Sequence, residues 1–114
     1  MVAVIFEVKL KTEGKEEYLK IASELREILQ NQDGFISIER FQSLTDEGKL
    51  LSLSFWRDEE AIGKWRNNLE HRNGQEQGRD SIFHSYRIRV AKIVRDYSES
   101  NRNEAPLDSN KLFT

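Results

Sequence analysis

Hydrophobic residues alternate from the start of the chain. Val2, Val4, Phe6, Val8 and Leu10 share one face of a period-2 pattern and Ala3, Ile5, Glu7 and Lys9 the other, which predicts a strand over residues 1–10. The period then lengthens. After a turn at Thr12 to Lys15, Tyr18, Ile21, Ala22, Leu25, Ile28 and Leu29 recur at helical spacing, and Asp33-Gly34 supplies a stop and turn signal. Phe35 to Leu44 and Lys49 to Trp56 are β-rich runs flanking Thr45, Asp46, Glu47 and Gly48, the pattern of an antiparallel hairpin. Asp58 is placed to cap a second helix with Glu59 and Glu60 in its first turn, followed by Ile62, Trp65 and Leu69 at helical spacing; Asn67-Asn68 predicts a break or bend. Tyr86 to Tyr97 is a last strand, with Tyr86, Ile88 and Val90 on one face and Ala91, Ile93 and Tyr97 making the other partly apolar. Residues 98–114 lose periodicity, contain the only proline, Pro106, and end near Leu112 and Phe113. They read as a tail that is flexible in isolation or docks on a partner subunit, with Leu107, Leu112 and Phe113 as docking points.

The order strand, helix, strand, strand, helix, strand defines an α+β class, the ferredoxin-like split βαβ arrangement, with helices on one face of an antiparallel sheet formed by residues 1–97. The second sheet face is left with apolar residues: Ile5, Phe35 or Phe41, Leu50, Trp56 and Ile93, depending on register. A homodimer packed sheet against sheet is the expected closure.

Composition narrows the classes of function. A chain of 114 residues is one domain in size. Its net charge of −2, with acids and bases interspersed, leaves no basic footprint for nucleic acid. The absence of cysteine removes disulfides, thiolate nucleophiles and cysteine-based metal sites, and suggests a cytoplasmic location. No apolar run approaches the ~18 residues of a membrane span, and residues 1–10 lack the features of a secretion signal. Nucleotide-binding glycine motifs and a serine elbow are also missing.

The stretch from Lys64 to Arg79, KWRNNLEHRNGQEQGR, is strongly polar yet carries a tryptophan and one of two histidines. On a helix over residues 69–83, His71, Gln75, Gly78 or Arg79, and Ile82 share a face. Set against a sheet, these groups form a pocket wall with a few convergent polar groups. A neutral imidazole at His71 suits proton removal from a phenolic hydroxyl near neutral pH, with Gln75 or Arg79 orienting the substrate oxygen and Trp65 offering a flat apolar wall. The resulting aromatic anion can give an electron to dioxygen without flavin or metal. Blander assignments stand beside these. Trp65 suits core packing as well as a pocket wall, and His71, between Glu70 and Arg72, suits solvated surface slightly better. Trp56 suits core or dimer packing, and Arg40, Arg57, Arg66 and Arg72 suit surface or ion-pair roles.

Several stretches together resemble the antibiotic biosynthesis monooxygenase domain family of the dimeric α+β barrel group: Gly34 to Phe41, Leu51 to Ala61, Trp65, His71-Arg72, Gly78-Arg79 and the closing strand through Tyr97. The resemblance implies a homodimer with a small-molecule pocket between the sheet and the second-helix region of each subunit. It also implies one of three activities: cofactor-independent oxidation of an electron-rich, quinol-like aromatic; binding or oxidative degradation of haem; or small-molecule binding without catalysis. The haem branch has an Asn near the end of the first strand, a Trp on the second helix and a His about ten residues beyond it. Trp65 matches; Glu7-Val8-Lys9 offers no Asn, and Gln75 stands at the His position, with His71 one turn earlier and His84 as a second candidate ligand.

Overall fold

A computed structural model describes residues 1–73 and 83–111, with side chains described except at 70–73, 83, 84 and 111. The elements follow the predicted order: β1 (Val2–Leu10), α1 (Lys15–Leu29), β2 (Phe35–Gln42), β3 (Lys49–Trp56), α2 (Glu59–Asn73), β4 (Phe83–Lys92) and a short α3 (Leu107–Lys111). The strands form one antiparallel sheet in the order β2-β3-β1-β4, the ferredoxin-like topology. Among the described residues no helix is long and apolar enough to cross a membrane.

Register decides which side chains meet the helices. Val2, Val4, Phe6 and Val8 pair with Trp56, Ser54, Ser52 and Leu50 of β3, so these alternate residues share the helix side. One core cluster joins Val2, Trp56, Leu29, Ala61, Ile62 and Trp65; a second joins Val8, Leu10, Leu50 and Tyr18. α1 contributes the stripe expected of it: Tyr18, Ala22 and Leu29 are buried, and Ile21, Leu25 and Ile28 pack against the clusters.

The composition of the second sheet face differs from the expectation. Ile5 does lie there, but Leu50 and Trp56 turn toward the helices, and Phe35 packs edge-on against Trp56 at 5.4 Å. Their places are taken by Leu51, Leu53 and Phe55 of β3, with Phe41 beside Leu51. The reason lies in β3 itself. Its serines, Ser52 and Ser54, go under the helices instead of toward water, so polarity alone assigns this strand the wrong way round. Nor does α2 break at Asn67-Asn68: it runs unbroken from Glu59 to Asn73. Leu69 packs against the first cluster and keeps the stripe of Ile62 and Trp65 in phase, which outweighs the modest helix cost of asparagine.

A polar corner sets the start of α2. The Asp58 carboxylate accepts the Ala61 N–H at 2.9 Å, the cap the sequence predicts. Arg57 donates through Nε to Asp58 at 3.0 Å and through both terminal nitrogens to Asp33 at 3.2 Å, while its backbone N–H reaches the Gly34 carbonyl at 2.8 Å. The Arg57 guanidinium holds Asp33 below the usual carboxylate range. The Ala61 N–H, then Arg57, do the same for Asp58, and the two acids push Arg57 further up. Gly34 has φ +83°, and a Cβ built there would stand 2.5 Å from Ala61 Cβ, so α2 seats against bare backbone.

Beyond β4, the Arg102 guanidinium lies 5.0 Å over the Tyr97 ring and donates to Asn110 Oδ1 and Ser109 Oγ. Arg95 donates to the Glu104 carbonyl, and Ala105 is buried. Leu107 and Val94 remain exposed; Leu112 and Phe113 lie outside the described residues.

Gly34→Ala is expected to destabilise the fold by about 2–4 kcal/mol, combining a strained left-handed backbone with overpacking against Ala61; urea unfolding measures it, and a change near zero contradicts the close approach. The acid behaviour of the corner follows from the sign of its shifts. Asp33 and Asp58 carry folded pKa values below the unfolded value of about 3.9. Their contribution to stability is therefore complete above that pH and disappears as pH falls through the folded values. Urea midpoints measured down a pH series should show Arg57→Gln less stable than the native chain at neutral pH, with the difference shrinking below about pH 4.

Candidate functional site

The described helices do not cover the whole sheet. On β4, Tyr86, Ile88 and Val90 lie opposite Val8, Phe6 and Val4, which places them on the helix side. Yet they are 63%, 54% and 47% exposed, and no described residue of β4 joins either core cluster. Phe6 leans across to Tyr86 with ring centroids 5.9 Å apart. The result is an apolar strip along β1 and β4. α2 stands beside its Val4 end, where Leu69 packs against the same cluster as Val4 and Trp65. Exposed apolar side chains in a row on the side of a sheet that carries helices form a floor for an organic ligand.

Trp65 stands at the inner boundary of this strip. It is 9% exposed, and its ring lies 6.4 Å from that of Trp56 at an interplanar angle of 32°. Most of the indole is therefore committed to packing, leaving an edge for any other contact. Trp56 itself is 1% exposed and donates its indole N–H to Ser54 Oγ at 2.9 Å, which accounts for that buried serine. Ser52, also buried, lies between Phe6 and Arg40 in the sheet and brings a second hydroxyl beneath the helices.

The backbone of His71 belongs to α2, two positions beyond Leu69, while its side chain lies outside the described residues, as do Gln75, Arg79 and Ile82 entirely. The His84 side chain lies outside them too. Among the described residues no three histidine or carboxylate side chains converge as a metal site.

Sequence reasoning placed Tyr86, Ile88 and Val90 on a common face but missed their part in a site, because periodicity says which residues share a face and not whether a helix reaches it. It also took Arg40 for a surface or ion-pair residue. Arg57 fits that description, through Asp33 and Asp58. Arg40 does not: it is half-buried, and its Nε is buried with no hydrogen bond and no ion pair among the described residues.

On the opposite, open face, a cavity of about 450 Å³ is lined by Met1, Ile36, Ser37, Phe55, Ile93, Arg95 and Asp96. Glu7 lies on the same face as the partner of Arg89 at 3.2 Å and of Lys49 at 3.9 Å.

Comparison with known proteins agrees with this architecture. The chain is 45% identical over 94 residues to the jasmonate monooxygenase ABM of Pyricularia oryzae; the alignment takes in 82% of this chain but 44% of that protein, so the chain spans under half the length of this relative. Among solved structures, the haem degrader MhuD of Mycobacterium tuberculosis, with two haems bound in its active site, is similar at a TM-score of 0.69 and 15% identity, covering 86% of this chain and all of that one (100%). SnoaB, a cofactor-independent oxygenase of Streptomyces nogalater, is similar at a TM-score of 0.67 and 10% identity, covering 83% and 94%. At such identities these two likenesses speak for the fold. The model of the antibiotic biosynthesis monooxygenase family matches residues 1–77, and the chain belongs to that family.

Proposed function

We propose that this domain is a cofactor-independent monooxygenase acting on a small, electron-rich, quinol-like aromatic, and that it works as a homodimer closed through the open face of the sheet. The observation that carries the reading is the apolar strip of exposed Tyr86, Ile88 and Val90 with half-buried Phe6 beside α2. It is a floor on which a flat ring can lie, at the helix that bears Trp65 and His71. Family membership and the names of the fungal and Streptomyces proteins support the oxygenase class.

In this reading His71, as neutral imidazole, takes the proton of a substrate hydroxyl, while Gln75 and Arg79 hold the oxygen that becomes negative and Trp65 and Ile82 bound the ring. The phenolate gives one electron to dioxygen. The resulting radical and superoxide combine to form a carbon–oxygen bond. The peroxide then loses its outer oxygen as water, together with the hydrogen from the attacked carbon, and leaves a quinone. One phenol and one dioxygen thus give one quinone and one water, with no electron required from outside. A dry apolar floor favours the electron transfer by keeping the anion poorly solvated.

Dimerisation rests on the open face, where Ile5, Leu51, Leu53, Phe55 and Phe41 form an apolar surface that isolated domains seldom leave to water. The tail of residues 98–114 is assigned to the same assembly, packing on the partner subunit.

Haem binding is the second reading, favoured by Trp65 on the second helix and by the likeness to the haem degrader. The described residues fit it poorly. Toward the end of β1 the helix side presents Phe6 and Val8, neither of which can donate to a haem propionate or to bound oxygen, and the side chains of the candidate axial ligands His71 and His84 lie outside the described residues.

Oxygen uptake with a panel of naphthols and anthrones tests the proposal. Turnover is expected on at least one member, and His71→Ala should lower it about 10²- to 10⁴-fold without changing the urea midpoint. Unchanged turnover in the variant removes His71 as the base. Haem titration is expected to leave the Soret region flat; a saturating shift that disappears in His71→Ala transfers the domain to the second reading.

A further inference from the structure

The apolar strip ends in a cation. Along β4 the helix-side row of Tyr86, Ile88 and Val90 continues at the same period to Lys92, which lies opposite Val2 of β1. Val2 belongs to the core cluster that holds Trp65, so this exposed lysine stands at the α2 end of the strip.

Its lack of a partner sets it apart from the other strand lysines. Lys9 pairs with Asp46 at 3.1 Å and Lys49 with Glu7 at 3.9 Å, whereas Lys92 makes no ion pair or side-chain hydrogen bond with any described residue. The strip offers it no acid. From Val8 and Tyr86 at one end to Val2 at the other, every other helix-side residue of β1 and β4 is uncharged, and Glu7 faces the open side with Arg89 and Lys49. The only formal charge in the row is therefore one free ammonium bordering apolar surface. A cationic ligand lying there would meet like charge, and a neutral one would leave the ammonium unanswered; a monoanion balances it.

Spacing sets the shape of that ligand. Val90 and Ile88 lie about 7 and 13 Å from Lys92 along the strand, which leaves room for a flat ring system on both with an acidic substituent toward the lysine. An ammonium on a flexible stem also takes a carboxylate without demanding one fixed geometry.

We propose that Lys92 determines which ligands the strip accepts: aromatic monocarboxylates whose ring lies on Ile88 and Val90 and whose carboxylate meets the Lys92 ammonium. The carboxylate is a handle for binding and takes no part in the oxidation. The inference rests on the strip being the ligand floor, and not on the chemistry assigned to His71. Closure of the dimer leaves the site open, because Tyr86, Ile88, Val90 and Lys92 all lie on the helix side of the sheet.

The test is titration of the ¹⁵N-labelled full chain with 2-naphthoate and with 2-naphthamide, its uncharged isostere, followed by amide chemical shifts; neither probe carries a hydroxyl to oxidise. Saturable shifts from both are expected at Tyr86 to Lys92, with naphthoate bound about fivefold more tightly, the upper range for an ion pair partly open to water. Lys92→Gln should bring naphthoate down to the level of naphthamide without weakening naphthamide, and Lys92→Arg should keep the preference. Neither change, at an exposed position, should move the urea midpoint. Equal binding of the two probes to the native chain leaves Lys92 a guard of the free strand edge and overturns the proposal while the floor stands. A preference that survives Lys92→Gln puts the deciding cation elsewhere and overturns it too. Absence of shifts along β4 from either probe removes the floor and the proposal together.

Discussion

Trp56 is the interaction on which the rest of this domain hangs. It ends β3, pairs with Val2 of β1 and Phe35 of β2, and meets Trp65 of α2 across the layer between sheet and helix. Its burial is nearly complete, and its one polar atom is satisfied from two residues back along its own strand by Ser54. An indole in this position is worth about 3–5 kcal/mol against alanine, a large share of the stability of a domain this size. It also fixes phase. With Trp56 turned to the helices, Ser54, Ser52 and Leu50 must follow, and Phe55, Leu53 and Leu51 must face the other way.

That phase is what the sequence left open. The elements themselves were legible: the alternation of residues 1–10, the helical stripe from Tyr18 to Leu29, the turn at Asp33-Gly34 and the cap at Asp58 all appear where their patterns predict. β3 was ambiguous because both faces of Leu50 to Trp56 are rich in apolar residues, and the polar members are serines small enough to be buried, Ser54 with the Trp56 indole as hydrogen-bond partner. Asn67-Asn68 misled for a related reason. Local capping preference is worth less than keeping Leu69 in the same stripe as Trp65.

The candidate site was legible in part. Tyr86, Ile88 and Val90 could be assigned a common face from spacing, but a floor becomes a site when the helices leave it uncovered, and coverage is a property of the packed layers. α1 spends its apolar stripe on residues of β1, β2 and β3, and the described part of α2 spends its own on Val2, Val4 and Trp56. Neither core cluster takes in a described residue of β4. Trp65 illustrates the same economy. A single side chain with 9% of its surface exposed is core for most of its area and a boundary for the remainder, so the two assignments that spacing allowed are both partly physical.

The two faces of the sheet consequently divide the work. On the helix side, specificity comes from what the helices fail to bury. On the open side, Leu51, Leu53 and Phe55 form a surface whose apolar area calls for a cover, and β2 bounds it with Phe41 and Glu39. Arg40 pairs with Ser52 in the register and so stays on the helix side, away from that surface. The open face can therefore be covered without enclosing the Arg40 guanidinium.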